Sequence, residues 1–393
     1  MDWPSNRLKA QAGKSFGMYE AAARLQAGGA DVIHLEVGRP SADTPLHIKE
    51  AAKAALDAGI VHYGDLQGLG ALREALAERY TRDNGIPCSA DEILITNGVT
   101  QASFAAFMSA LNDGDEVIVL EPFYPQHNSK IMFAGGKVVT VPMAYEGGRF
   151  RPDPERIAAA ITPRTRMLVL INPANPTGTV CTREELQAVA DLVGRHDLLV
   201  LADEVYEFIT FDGNRHTSFA SLEGMRERTI TVSAFTKAYA MDGWRIGYAM
   251  APAHMIADLR RVTMNDTTHP CVFAQEGALA AVIGSQQCVA ELVDEDRERR
   301  DLLVERLNAI EGVRCAVPQG SIYSFPDVSA LGLPSADIAR HILDTAHVAV
   351  ESGAFYGSAG EGHLRICFGS EPYARLEEAL DRIAHSLAGG LKR

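Results

Sequence analysis

Read as apolar and polar positions, the chain changes rhythm three times. Residues 1–30 are polar and read as helix, followed by the short apolar stretch VIHLEVG at 32–38. HIKEAAKAALDAG predicts a further helix, then comes a loop holding Tyr63 and the glycines of YGDLQGLG. ALREALAERYTRDNG carries apolar residues at helical spacing and closes on an Asn-Gly stop. From residue 93 apolar runs and helical segments alternate: ILIT before QASFAAFMSAL, EVIVLEP before PQHNSKIMFAGG, then KVVTVPM, RMLVLINP, REELQAVADLVGRH and LLVLADEVY. The runs at 116–120, 167–171 and 198–202 are continuously apolar, the pattern of strands covered on both faces. Such alternation predicts an α/β fold, with a mostly parallel central sheet and helices on both faces.

After residue 290 the pattern shifts again. A long charged helix, VAELVDEDRERRDLLVERLNAI, leads into a smaller α+β segment with strands near 313–317, 322–325, 347–350 and 364–368. The charge run 294–301 reads as a solvated helix face. The expected organisation is an N-terminal arm with part of a small domain over 1–44, a large domain over 45–290, and a C-terminal small domain over 291–393.

Composition narrows the function classes. At 393 residues, the chain suits two domains or one large α/β domain with an appendage. A net charge of −14 argues against nucleic acid as the main partner, yet leaves room for a local positive pocket. No apolar run reaches the roughly 20 residues that span a bilayer. The first residues lack the apolar core of a signal peptide. The six cysteines are scattered without a CxxC pair, so they read as reduced thiols rather than a disulfide framework or zinc site. A cytoplasmic protein with no metal site is the expectation.

Sheets of this type bind ligands at the carboxyl ends of their strands, so the polar residues after each run are the candidates. Asn97-Gly98-Val99-Thr100 opens a helix whose first amides form an anion site. Phe123-Tyr124-Pro125 offers an aromatic face, and Asn175-Pro176-Thr177-Gly178 presents an amide side chain. Asp203-Glu204-Val205-Tyr206 follows LLVLA; Thr236-Lys237 follows TITVS, with Arg245 eight positions beyond Lys237. Taken singly, Asp203 could cap a helix, Asn175 could be a turn residue, and Lys237 could snorkel to the surface. Tyr124 could be core and Arg245 could pair with an acid. Their coincidence on successive strand ends favours one shared ligand.

The stretches EVGRPSADTP, YGDLQGLGALREALAERY, NPANPTGTV, ADEVYE, TKAYAMDGWRIGY and GEGHLRICF resemble, in order and over nearly the full length, the class I/II aminotransferases. These are pyridoxal-phosphate-dependent enzymes of the aspartate aminotransferase fold. The resemblance implies transfer of an amino group between an L-amino acid and a 2-oxo acid by a ping-pong mechanism. It also implies a homodimer with shared active sites, and neither nucleic acid nor membrane as partner. Lys237, one of eight lysines, matches the Schiff-base lysine and proton-transferring base. Asp203 matches the acid at the pyridine nitrogen; Tyr206 and Asn175 match the donors to the phenolate oxygen; Tyr124 matches the stacked ring. Arg245, Thr236 and the amides of Gly98, Val99 and Thr100 match the phosphate cup. Tyr63 matches a tyrosine that reaches the neighbouring subunit's phosphate. Arg365 matches the clamp on the substrate's α-carboxylate, a task suited to its planar fork, with Gly38 and Asn175 beside it. Closure of residues around 14–40 would exclude water.

The same parts also serve carbon–sulfur β-lyases and other pyridoxal-phosphate enzymes on the same fold, which is the alternative reading. Several positions depart from the commoner pattern. Ala234 stands where serine is frequent, and Asp242 where threonine is frequent. Met264 occupies the place of an arginine that binds a distal carboxylate in one branch of aspartate aminotransferases. Asp266 is a candidate to face a basic side chain, and Arg39 is a candidate to choose the side-chain end of the substrate.

Overall fold

The structure, a computed structural model, describes residues 3–9 and 17–389. Seven strands form the central sheet: β1 (Ile93–Thr96), β2 (Glu116–Glu121), β3 (Lys137–Pro142), β4 (Thr165–Ile171), β5 (Leu199–Asp203), β6 (Thr229–Ala234) and β7 (Gly247–Met250). Their order is β1-β7-β6-β5-β4-β2-β3. β7 runs antiparallel to both neighbours, and the other pairs are parallel.

The continuous apolar runs are explained by what covers them. Val117, Val119, Met167 and Val169 pack with Ala102 and Phe107 of the helix Gly98–Ala110 and with Ile256 and Leu259 of the helix Ala253–Asp266. Ile118, Leu120, Leu168 and Leu170 point the other way, onto Leu186, Val189 and Val193 of the helix Arg183–Arg195. Successive strand residues face opposite sides, so every position of such a run must be apolar.

β7 has a consequence for the site. Because it is antiparallel, its amino end lies at the carboxyl end of its neighbours. Arg245, two residues before β7, therefore arrives at the edge where β1, β5 and β6 finish. The approach is tight: a Cβ on Gly247 would fall 2.8 Å from Gly98 Cα and 2.9 Å from the Ser233 carbonyl oxygen.

The chain beyond the helix Gln287–Asn308 builds a three-stranded antiparallel sheet, with Leu364–Cys367 between Tyr323–Ser324 and Glu351–Ser352. Ile33–His34 pairs in parallel with Val348–Ala349, joining the first part of the chain to the last. The strand expected at 313–317 is absent: Arg314 makes only an isolated bridge to Asp327. The helix expected over 1–30 consists of Asn6–Lys9 and Tyr19–Ala27, and residues 10–16 lie outside the described residues.

The charge run 294–301 is not wholly a solvated face. Asp296, Arg299 and Arg300 are buried. Arg299 pairs with Asp296 at 2.9 Å, while Arg300 reaches Asp212 at 2.5 Å and the Pro318 carbonyl at 3.2 Å. Buried charges require such partners, and only the fold reveals them. All six cysteines are free thiols. No described helix is long and apolar enough to cross a membrane.

Candidate active site

The strand ends converge. Lys237, half-buried three residues after β6, donates to the Gly38 carbonyl oxygen at 2.5 Å, with its ammonium 5.8 Å from the Tyr206 ring centroid. Burial is the main reason its pKa falls to about 8. The Gly98–Ala110 helix points its first turn at the same edge, where the leading amides have no intrahelical acceptor. Gly98 has φ +75°, and a Cβ there would lie 2.7 Å from Arg245 Nη2. Only glycine leaves that hollow open beside a guanidinium. Arg245, itself at φ 57°, donates to the Asp242 carbonyl at 2.8 Å. The Asp242 backbone thus restrains Arg245, and its carboxylate is exposed. Thr236 is half-buried beside Lys237, and Ala234 is buried opposite Gly247.

Asp203 ends β5, buried, with Oδ2 accepting from His127 Nε2 at 3.1 Å and Oδ1 from the Val205 amide at 3.3 Å. The helix-cap alternative fails, since no helix follows β5 directly. The DEVYE motif divides between two faces. Asp203 and Tyr206 face the strand-end site, whereas Glu204 and Glu207 anchor the turn from behind. Glu204 accepts from His216 at 3.1 Å, Ser218 at 3.0 Å and the Phe219 amide at 2.9 Å. Glu207 pairs with Arg79 at 2.9 Å, and Tyr248 and Ser233 each donate to it at 3.3 Å.

Tyr124 caps the helix Pro125–Phe133 and meets the His127 ring edge-on at 5.4 Å. Tyr206 donates to the Tyr323 hydroxyl at 3.0 Å. Burial, then Tyr323, hold the Tyr206 phenol well above its ordinary value. Arg365 is buried, its guanidinium over the Tyr323 and Tyr356 rings at 4.6 and 4.9 Å from their centroids. It donates to Asn175 Oδ1 at 3.3 Å and to the Glu36 carbonyl, while its Nε has no partner. Among the described residues no carboxylate forms an ion pair with it. A buried guanidinium in that state is prepared for an anion.

Three expected residues stand apart. Tyr63 is 88% exposed, its ring edge-on to His269 at 5.6 Å, and makes no contact with this cluster. Arg39 is half-exposed, 3.6 Å from Glu371. Asp266 does not face a base: it accepts from Gln101 at 2.9 Å and from Thr267. Met264 is exposed. Sequence reasoning missed His127, Tyr323 and Tyr356. His127 had a usable signal, lying in the first turn of the helix that Tyr124 precedes. The two tyrosines reach the site from distant segments and had none.

The family model for aminotransferase class I and II matches residues 30–383. The chain belongs to that family. It is 41% identical over 362 residues to an aspartate aminotransferase of Pyrococcus abyssi, covering 91% of this chain and 92% of that relative. It is 40% identical over 355 residues to aromatic-amino-acid aminotransferase 2 of Thermococcus litoralis, covering 90% of each. The solved structure of Thermus thermophilus aspartate aminotransferase with maleate superposes with a TM-score of 0.92 at 39% identity, covering 98% of this chain and all of that one. This aminotransferase is a pyridoxal-phosphate-dependent enzyme that transfers an amino group between an amino acid and a 2-oxo acid. The residues present fit that cofactor. The hollow at Gly98 beside Arg245 suits a phosphate, Asp203 supplies a buried acid, and Lys237 supplies an amine whose pKa burial lowers to about 8.

Proposed function

We propose that Lys237 holds the cofactor and moves the substrate's α-proton, and that Arg365 binds the α-carboxylate. One observation carries this reading. The amine and the unpaired guanidinium both donate to the same short segment, Lys237 to the Gly38 carbonyl and Arg365 to that of Glu36. An amino acid docked there meets a base and a carboxylate clamp together. Asp203 would face the pyridine nitrogen, and Tyr206 and Asn175 the phenolate oxygen. Tyr124 would lie against the ring. Arg245, Thr236 and the amides of Gly98, Val99 and Thr100 would hold the phosphate. Pyridoxal phosphate supplies an electron sink that makes the α-proton acidic. The lowered pKa of Lys237 brings a neutral amine within reach of working pH, where it can accept and return that proton.

Arg39 is assigned to the side-chain end of the substrate, where its loose contact with Glu371 leaves the guanidinium available. An unchanged amino-donor profile in Arg39→Gln would remove that assignment. Tyr63 is assigned to a partner subunit's phosphate. The exposed Leu46, Ile60, Val61, Tyr63 and Ile283 support a homodimer that covers them. We further assign residues 45–290 to a large cofactor domain and 291–393, with 1–44, to a small domain and arm, in a cytoplasmic enzyme.

The test is spectroscopic. Single amino donors added to the loaded enzyme should bleach its near-visible band, with release of the matching 2-oxo acid. Pyruvate and sulfide released from cysteine would favour the β-lyase reading instead.

A further inference from the structure

Glu121 ends β2 at the carboxyl edge of the sheet, and no role described above uses it. It is 5% exposed, and no cation pairs with it among the described residues. Its Oε2 accepts instead from the Ser358 hydroxyl at 2.9 Å and from the Ala359 amide at 3.3 Å. A buried carboxyl group held by neutral donors alone is costly to keep, so its place calls for a reason.

Ser358 and Ala359 follow the short helical turn Gly353–Tyr356, and this part of the chain lies directly on the end of β2. Phe123 donates its amide to the Tyr356 carbonyl oxygen at 2.9 Å. Gly357, between the two attachments, has φ +107°, and a Cβ there would fall 2.7 Å from Glu121 Cδ and 2.9 Å from Phe123 Cε1. Only glycine lets the backbone come this close. Tyr356 is also met edge-on by Phe325 at 6.1 Å, and its ring centroid lies 4.9 Å from the Arg365 guanidinium.

We propose that Glu121 is a positioning residue for the carboxylate clamp: by gripping residues 358 and 359 it holds the Tyr356 ring against Arg365. The inference rests on the reading of Arg365 as the group that binds the substrate's α-carboxylate. Arg365 Nε has no partner, so contact with the Tyr323 and Tyr356 rings largely sets the plane of the guanidinium. Without the two bonds to Glu121 the turn can lift, and Tyr356, one residue removed from Ser358, moves with it.

The test uses the loaded enzyme and propionate, a carboxylate with no amine to react. Glu121→Leu keeps the volume and removes both acceptor oxygens; Glu121→Gln keeps a carbonyl oxygen that accepts from both donors. In Glu121→Leu the KM for the amino donor should rise together with the dissociation constant of propionate, read from the shift of the visible band. The expected rise is roughly threefold to thirtyfold, the range of one cation–π contact. kcat and cofactor affinity should stay at the parent values, and Glu121→Gln should match the parent throughout. An unchanged propionate constant in folded Glu121→Leu overturns the inference, as does a rise that persists at full size in a Tyr356→Ala background. An equal rise in Glu121→Gln, or a matching loss of cofactor affinity, overturns it as well. If Glu121→Leu does not fold, Gly357→Ala lifts the same turn and carries the same comparison. Arg365→Gln separates the two readings. If it leaves the propionate constant unchanged, the assignment of the clamp fails. If it raises that constant while Glu121→Leu does not, only the Glu121 inference fails.

Discussion

Gly38 is the position where one added carbon does the most to this site. A Cβ on its backbone would fall 1.7 Å from Tyr323 Oη and 2.7 Å from Cζ, where ordinary contact starts at 3.4 Å. Tyr323 is buried, so its ring cannot swing into solvent. Displacing it breaks the 3.0 Å bond from Tyr206 and slides the ring from its 4.6 Å position under Arg365. The hydrogen bond is worth about 1 kcal/mol net, and the cation–π contact about 0.5–2 kcal/mol. Together they predict a loss of about 1.5–3 kcal/mol, or roughly tenfold to 150-fold, in kcat/KM for Gly38→Ala. Steady-state kinetics with the best amino donor reads this directly, and a thermal melt checks the fold. A Gly38→Ala enzyme within twofold of the parent would refute the reasoning. In a Tyr323→Ala background the penalty should disappear. A penalty that persists there places the cause in the backbone of residue 38 instead.

Arg365→Gln should lower kcat/KM for amino acids by about a hundredfold, from two charge-assisted bonds of about 1.5 kcal/mol each. Cofactor affinity, measured by titration, should hold; an equal fall in both would contradict the assigned clamp. In the cofactor-free chain, Lys237 should react with an acylating reagent near pH 8, below the range of surface lysines, as mass spectrometry would show. Glu207→Ala strands the buried Arg79 and should destabilise the fold by about 3–5 kcal/mol in chemical denaturation. Burial raises the Glu207 pKa, but Arg79 outweighs it and holds the carboxyl below its ordinary value. Its stabilisation is therefore present at neutral pH and lost as pH falls through the lowered folded value. Val61→Asp should weaken the proposed homodimer, read as a shift towards monomer in sedimentation; a dimer left unchanged by the substitution would exclude this face as the interface.

Much of this was legible from local pattern. The central runs VIVL of β2 and MLVL of β4 are apolar throughout because both of their faces are covered. The short β7 was not read: four residues, GYAM, carry too little pattern to signal a strand. The charge run 294–301 misled for a related reason. Its residues look solvated until Asp212 and Pro318 arrive from elsewhere to satisfy Arg300.

By itself the sequence determined the α/β class, the strands with both faces buried, and the set of groups at their ends. Periodicity and turn chemistry act over a few residues, so they can be read without the fold. Tertiary structure alone decided which of those groups meet. The reversed β7 brings Arg245 to the hollow at Gly98, and a neighbouring strand and a short helical turn set Tyr323 and Tyr356 around Arg365. It also sorted the DEVYE acids, sending Asp203 to the site and Glu204 and Glu207 to buried partners behind it. Such convergence depends on sheet order and on contacts between residues far apart in the chain, which no local pattern records.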